Sequence, residues 1–291
     1  MSIDKLQDKI RKWKNPSAVE LNPDIEVIPG TIVEEEGGFT PAYIRYCGEL
    51  LETLKDIVPA VRFSLNSFSL LGSDGMALLQ RVSAMAKEKG YYVLLDAPVS
   101  YTEKEASQAA RLLLSDACPI LWDGVIVCPY IGADSIKPYT DGIKTSGKDI
   151  FAVLRTGNKT AAQIQDLLSG SRLVHVAVAD IISRLGQNYL GRKNYSAIGC
   201  VSSAVSGDSL RTLRSKYKNL FVLVEGYDYS NANAKNCSYA FDTMGHGALV
   251  CAGSTITAAW KDDGGQSDYL TTAVEAAQRM KKNLLRYIMI L

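Results

Sequence analysis

Residues 91–105 read YYVLLDAPVSYTEKE. Tyr91 to Leu95 is a continuous apolar run of strand length, with a carboxylate, Asp96, at its carboxyl end. After a short loop, Thr102 and Glu105 stand at capping-box spacing, where hydroxyl and carboxylate each satisfy one backbone N–H at a helix start. Ala109, Leu112 and Leu113 then give that helix an apolar stripe. A strand without polar alternation is buried on both faces, and a helix directly after it makes the repeating unit of a parallel sheet. Such sheets place chemistry at the carboxyl ends of their strands, which makes Asp96 the first candidate catalytic residue.

The same rhythm runs outward in both directions. An amphipathic helix with Ile3, Leu6, Ile10 and Trp13 at three- and four-residue intervals opens the chain, and Asn15 and Pro16 end it. Strands are expected at Ala18–Leu21, Ala60–Leu65, Tyr91–Leu95, Gly124–Val127, Ile150–Leu154, Ala197–Val201, Leu220–Val224 and Ala248–Cys251. A polar, acidic loop is expected through Glu34 to Gly38, then a helix from Pro41 to about Asp56 capped by Thr40. Further helices are expected over 74–89, near 134–143, 160–168, 171–187, 207–217 and 231–239, and over a carboxyl-terminal segment within 264–291. Eight strands, each followed by helix, predict a (β/α)₈ TIM barrel, with a doubly wound open sheet as the competitor. No linker or composition shift divides the chain, so residues 1–291 read as one domain, with 1–16 as the amino-terminal helix.

Composition narrows the partners. Lys and Arg number 32 against 31 Asp and Glu, a formal net charge of +1, which gives no electrostatic case for nucleic acid. The opening MSIDKLQDKIRKWK lacks the apolar run of a signal peptide, and no apolar stretch is long enough for a membrane span. The six cysteines are scattered without C-x-x-C spacing, which reads as free thiols, and neither a disulfide framework nor a zinc site is expected. A cytoplasmic protein with small-molecule or protein partners is the expectation.

Residues 127–139, VCPYIGADSIKPY, carry a resemblance. The run is similar to the fourth-strand segment N-P-Y-x-G-x-D-S-x-x-P-[FY] of the bacterial long-form orotidine 5′-phosphate decarboxylases, with Cys128 in place of the Asn. Pro129, Tyr130, Gly132, Asp134, Ser135, Pro138 and Tyr139 match. Further similarities follow in order. FAVLRTGNKTAAQIQ at 151–165 resembles the fifth-strand R-T-S-N-P run. Asn194 to Cys200 and Leu210 to Arg214 resemble the sixth-strand segment and its helix. VEGYDYS at 224–230 sits where the family has P-G-Y-G-A-Q, and Leu249 to Thr255 where it has a Ser-Arg pair. The resemblance implies a closed barrel, a homodimer or larger homo-oligomer with sites near the interface, no metal and no organic cofactor. It also implies conversion of orotidine monophosphate to uridine monophosphate and carbon dioxide.

That reaction leaves a carbanion on a ring carbon, so the site needs a cation in place and a proton to deliver. The family supplies both with a Lys between two Asp in D-x-K-x-x-D. Asp96 matches the first Asp, but Pro98 and Tyr101 occupy the Lys and second Asp positions. Pro98 carries no charge or donor, and Tyr101 is neutral at pH 7. Asn22 stands for the first-strand Asp and Arg62 for the second-strand Lys, keeping the charge but not an equivalent proton donor. Gly157 replaces the Ser of T-S-N, flanked by Thr156 and Asn158. Gly226 and Ser254 remain of the seventh and eighth loops, Ser230 replaces the Gln, and the phosphate-gripping Arg has no counterpart. Asn22, Arg62, Thr156, Asn158, Gly226 and Ser254 are the implied substrate-contacting residues.

Three functions follow. The favoured one is a homologue without decarboxylase activity that acts in binding, regulation or assembly, with a protein partner and at most a weakly held nucleotide. The alternatives are a working decarboxylase with an atypical site, and a new enzymatic activity on the same barrel. His175, in the apolar LVHVAVAD, reads as a core or interface imidazole. His246 reads as turn or surface, and Asp180 with Arg184 as a helix-surface pair. Tyr227, Tyr229, Asn231 and Asn233 give the seventh loop the composition of a contact surface.

Overall fold

The computed structural model describes residues 1–228, 233–264 and 268–291. Eight parallel strands close into a barrel, which excludes the open sheet. They are β1 (Ser17–Glu20), β2 (Ala60–Ser64), β3 (Tyr92–Asp96), β4 (Gly124–Val127), β5 (Asp149–Arg155), β6 (Ile198–Ser203), β7 (Val222–Glu225) and β8 (Ala248–Ala252). Each pairs with its sequence neighbours, and β1 closes on β8 with Ala18 opposite Cys251.

Alternation along the strands sorts the core into two parts. Ala18, Ala60, Tyr92, Leu94, Ile126, Phe151, Val201, Phe221, Leu223, Leu249 and Cys251 fill the barrel. The intervening residues, among them Val19, Val61, Val93, Leu95, Val125 and Val250, face the helices. Space inside is tight enough to require glycine twice. A Cβ on Gly124 would stand 2.6 Å from the Tyr92 hydroxyl, and one on Gly199 would stand 2.5 Å from the Phe221 carbonyl.

The opening helix, α1 (Ser2–Trp13), lays Ile3, Leu6 and Ile10 against this interior cluster and so plugs the amino-terminal end of the barrel. The segment expected as an acidic loop contains α2 (Gly30–Glu36), with Ile32 buried and Glu35 and Glu36 paired to Arg45. The next helix, α3 (Phe39–Leu54), starts from Gly38, so Thr40 lies inside it and does not cap it. After β2 come α4 (Leu65–Ser69) and α5 (Gly72–Glu88). The capping box of Thr102 and Glu105 opens α6 (Glu103–Leu113) as expected.

Pro138 breaks the expected 134–143 helix into two 3₁₀ turns before α7 (Thr140–Ser146). The 160–168 segment is a 3₁₀ turn, Lys159–Gln163, followed by a hairpin pairing Leu168–Ser169 with Arg172–Leu173. The remaining helices are α8 (Val174–Gly186), α9 (Gly207–Lys216), α10 (Ala234–Ser238), α11 (Ser254–Thr257) and α12 (Tyr269–Leu284). Asp180 pairs with Arg172 and Lys216, not with Arg184. Buried Arg214 ties the loops that lead into β7 and β8, donating to the carbonyls of Lys218, Ala240 and Gly247. No helix among the described residues is long and apolar enough to cross a membrane.

Candidate functional site

The inward-facing register that places Tyr92 and Leu94 in the core brings Asp96 to the top of the same column, at the carboxyl end of β3. Arg62 stands beside Leu94 on β2 and opposite Glu20 on β1. Glu225 ends β7. All four side chains therefore meet at the mouth of the barrel. Arg62 donates to both oxygens of Asp96, from Nε at 2.8 Å and Nη2 at 2.8 Å, and to Glu20 from Nη1 at 2.9 Å. The same Nη1 lies 2.6 Å from Glu225.

The guanidinium side chain is only 12% exposed, so its charge is paid for by its neighbours. Burial opposes that charge, but Asp96, Glu225 and Glu20 outweigh it and raise the pKa of Arg62 well above its ordinary value. Burial pushes the Glu20 carboxyl up; Arg62 pulls it back, and Glu225, Asp96 and Asp228 push it up again. One cation thus faces three contacting carboxylates, with a fourth close by.

The fourth, Asp228, closes the neighbouring loop. Its two oxygens accept from the backbone N–H groups of Gly253 and Thr255, each at 2.8 Å. These amides begin α11, where backbone N–H groups have no intrahelical acceptor. Here the chain's own carboxylate occupies them.

The other sequence-derived residues fall in three places. Asn22 accepts the Ser64 N–H at 2.8 Å, linking the β1 and β2 loops at the mouth. Thr156 and Asn158 bond to one another in the loop after β5, where the Gln165 side chain accepts the Thr156 N–H at 2.8 Å. Gly226, at φ 86°, turns the chain out of β7 as only glycine does readily, and Ser254 is exposed at the first position of α11.

Pro98 and Tyr101 do not join Arg62 and Asp96. Pro98 lines an apolar cleft of about 320 Å³ with Leu65, Met76, Leu113 and Ile120, and Tyr101 is 79% exposed. Lys104 is exposed on α6. Ser230, Tyr229 and Asn231 lie outside the described residues. Cys128 is half-buried, and Cys47, Cys200, Cys237 and Cys251 are buried; all are free thiols. Among the described residues, no group of three or more His, Cys, Asp or Glu is placed to hold a metal ion.

Glu20 and Glu225 are the residues that sequence reasoning missed, and Asp228 showed only as a departure from the family's seventh-loop run. Strand phase was the available signal for the first two: Glu20 lies two residues after Ala18 and Glu225 two after Leu223, both interior positions.

No family model matches the chain. Curated relatives match over most or all of its length. The orotidine 5′-phosphate decarboxylase of Clostridium acetobutylicum is 28% identical over 286 residues, covering 98% of this chain and 99% of that protein. The enzyme of the same name from Rhodopirellula baltica is 26% identical over 265 residues, 88% of each. Among solved structures, the OMP decarboxylase of Leishmania donovani superposes with a TM-score of 0.72 at 20% identity, covering 98% of this chain and 99% of that one. The orotidine 5′-monophosphate decarboxylase of Plasmodium berghei gives a TM-score of 0.77 at 14% identity over 98% and 99%. These structures share the barrel fold from end to end.

Proposed function

We propose that this chain, a homologue of the orotidine 5′-phosphate decarboxylases, has lost decarboxylation and uses the inherited barrel for binding, regulation or assembly. The observation that carries this reading is the ion cluster at the mouth. Decarboxylation of a bound mononucleotide calls for an available cation beside the departing carboxylate, a proton donor, and a seat for phosphate. At this mouth the cation is already clasped by Asp96, Glu20 and Glu225. Arg62 is also a poor proton donor, because its neighbours hold its proton tightly.

The donors at the start of α11 are taken by Asp228. An orotidine monophosphate, bearing both phosphate and carboxylate, would meet carboxylates that repel it. The implied Lys position, Pro98, faces an apolar cleft instead.

Exposed apolar side chains on the same flank support association with a second copy or a protein partner. Leu70 is 87% exposed and Leu112 63%, and both stand on segments beside the Pro98 cleft. A homodimer in the cytoplasm is the state that fits the free thiols and the family. The test is release of carbon dioxide from carboxyl-labelled orotidine monophosphate by the purified full chain. The expected result is no release above the uncatalysed rate, and turnover at enzymatic rates would overturn the proposal.

A further inference from the structure

A second cleft, of about 360 Å³, opens between the loops that follow β5 and β6. Arg155, Asp166, His175, Ser206, Ser209 and Thr212 are among its lining residues. His175 is the second residue of α8 and Ser209 the third of α9. Helices that follow parallel strands begin on the face where the strands end, so the first turns of α8 and α9 converge on the functional side of the barrel.

His175 is buried, and its two ring nitrogens have different partners. Nδ1 lies 2.9 Å from the Gln165 carbonyl oxygen and 3.2 Å from Oδ1 of Asp166. Both are acceptors, so Nδ1 carries the proton of the neutral ring and Nε2 keeps its lone pair. That lone pair faces the Ser209 hydroxyl at 3.3 Å. Other helical serines, Ser83, Ser215 and Ser238, turn their hydroxyls back to the carbonyl three residues earlier. Ser209 turns to the imidazole. Asp166 is fixed in turn by Arg155, through Nε at 2.9 Å and Nη2 at 2.8 Å.

A reaction at Ser209 would also need donors for a developing oxyanion. The backbone N–H groups of Gly207, Asp208 and Ser209 meet no acceptor among the described residues, and the Ser206 side chain makes no capping bond. These free donors stand in the first turn of the helix that carries Ser209.

We propose that Ser209, His175 and Asp166 form a nucleophile, general base and orienting carboxylate that cleave small carboxylic esters. The Ser209 proton passes to His175 Nε2 as Oγ bonds to the ester carbonyl carbon, and the carbonyl π pair moves onto oxygen. Collapse of this adduct breaks the bond to the alkoxy oxygen, which takes the proton from Nε2 and leaves as alcohol. Water, giving its proton to His175, then attacks the acyl-Ser209 carbon, and the serine oxygen leaves and recovers that proton. The sum is ester plus water to acid plus alcohol. Asp166 is shared with Arg155, which weakens its support of the imidazolium, so the centre is slow relative to a dedicated hydrolase. This inference concerns loops other than the barrel mouth and stands whether or not decarboxylation is retained.

The test is labelling of the full chain with a fluorophosphonate probe, peptide mapping of the adduct, and hydrolysis of p-nitrophenyl acetate by the same samples. The adduct should map to Ser209, and both S209A and H175Q should lose it, with ester hydrolysis falling about 100-fold. Ser209 is half-buried at a helix start, so S209A decides the matter alone if H175Q does not fold. An adduct elsewhere only, no adduct at all, or unchanged hydrolysis in S209A would overturn the proposal. Labelling of Ser209 at the wild-type rate in folded H175Q would reduce His175 to packing and overturn the assignment of the base.

Discussion

Replacing Arg62 with Met removes the cation that Asp96, Glu20 and Glu225 share at the barrel mouth while keeping a side chain of similar length. Its partners, Asp96, Glu20 and Glu225, are 21%, 25% and 22% exposed. Removing one member of a buried pair costs about 3–5 kcal/mol, because the remaining charge is left without compensation. Three carboxylates converge here, but each keeps some contact with water, which places the cost near the lower bound, at about 3 kcal/mol. For a chain of this size that is a fall in Tm of about 5 °C.

The loss is pH-dependent, and its sign follows from the carboxylates. Arg62 pulls the Glu20 carboxyl down, so without it the folded-state pKa of Glu20 rises further above that of the unfolded chain, and the folded state binds more protons in that interval and loses stability as pH rises through it. Glu20 is already raised by burial. R62M should therefore be most destabilised near pH 8 and recover toward wild type near pH 5. Thermal unfolding by circular dichroism at both pH values is the assay. A variant as stable as wild type at pH 8, or a deficit that widens on acidification, would refute the reasoning that Arg62 is bound as a structural counter-ion.

Asp149 makes a second pH prediction: it is buried beneath the barrel core and accepts the Tyr92 hydroxyl at 2.6 Å through one oxygen, while the other has no hydrogen-bond partner among the described residues. Burial raises its pKa well above the ordinary range, so it withdraws stability as pH rises; D149N should be at least as stable as wild type at pH 8, with a flatter pH profile in thermal melts. R214M strands the carbonyls of Ala240, Lys218 and Gly247 and should cost about 3 kcal/mol or more, read by urea denaturation. D228A should cost about 1–2 kcal/mol by losing two charge-assisted bonds, and it frees the Gly253 and Thr255 amides. Phosphate titrated into D228A should bind more tightly than into wild type, by calorimetry.

Strand phase carried most of what the sequence could tell. The buried runs placed all eight strands, and the spacing of Thr102 and Glu105 placed a helix start to the residue. Helix assignment failed where apolar residues are not buried. Ile164, Leu167 and Leu168 suggest a helical stripe over 160–168, yet they are 62%, 53% and 73% exposed, and Gly170 at φ 65° turns the chain into a hairpin. Asp96 was singled out by its place at the carboxyl end of a strand, and Arg62 by the family position it matches. Their partners Glu20 and Glu225 lie on strands far apart in sequence, and only closure of the barrel brings them together. Asp228 was visible as a departure from the family's glycine-rich loop, but its grip on the amides of Gly253 and Thr255 depends on a tertiary contact. His175 read correctly as buried, while its meeting with Ser209, 34 residues away, left no local trace.

On the proposed function, the barrel mouth is closed by its own charges against an anionic mononucleotide. Calorimetric titration of uridine monophosphate into the purified wild-type chain tests this most directly, since the product carries the phosphate that the family site must hold. No heat of binding is expected at millimolar ligand. Saturable binding with micromolar affinity, abolished by R62M, would contradict this reading and return Arg62 to the role of a substrate ligand.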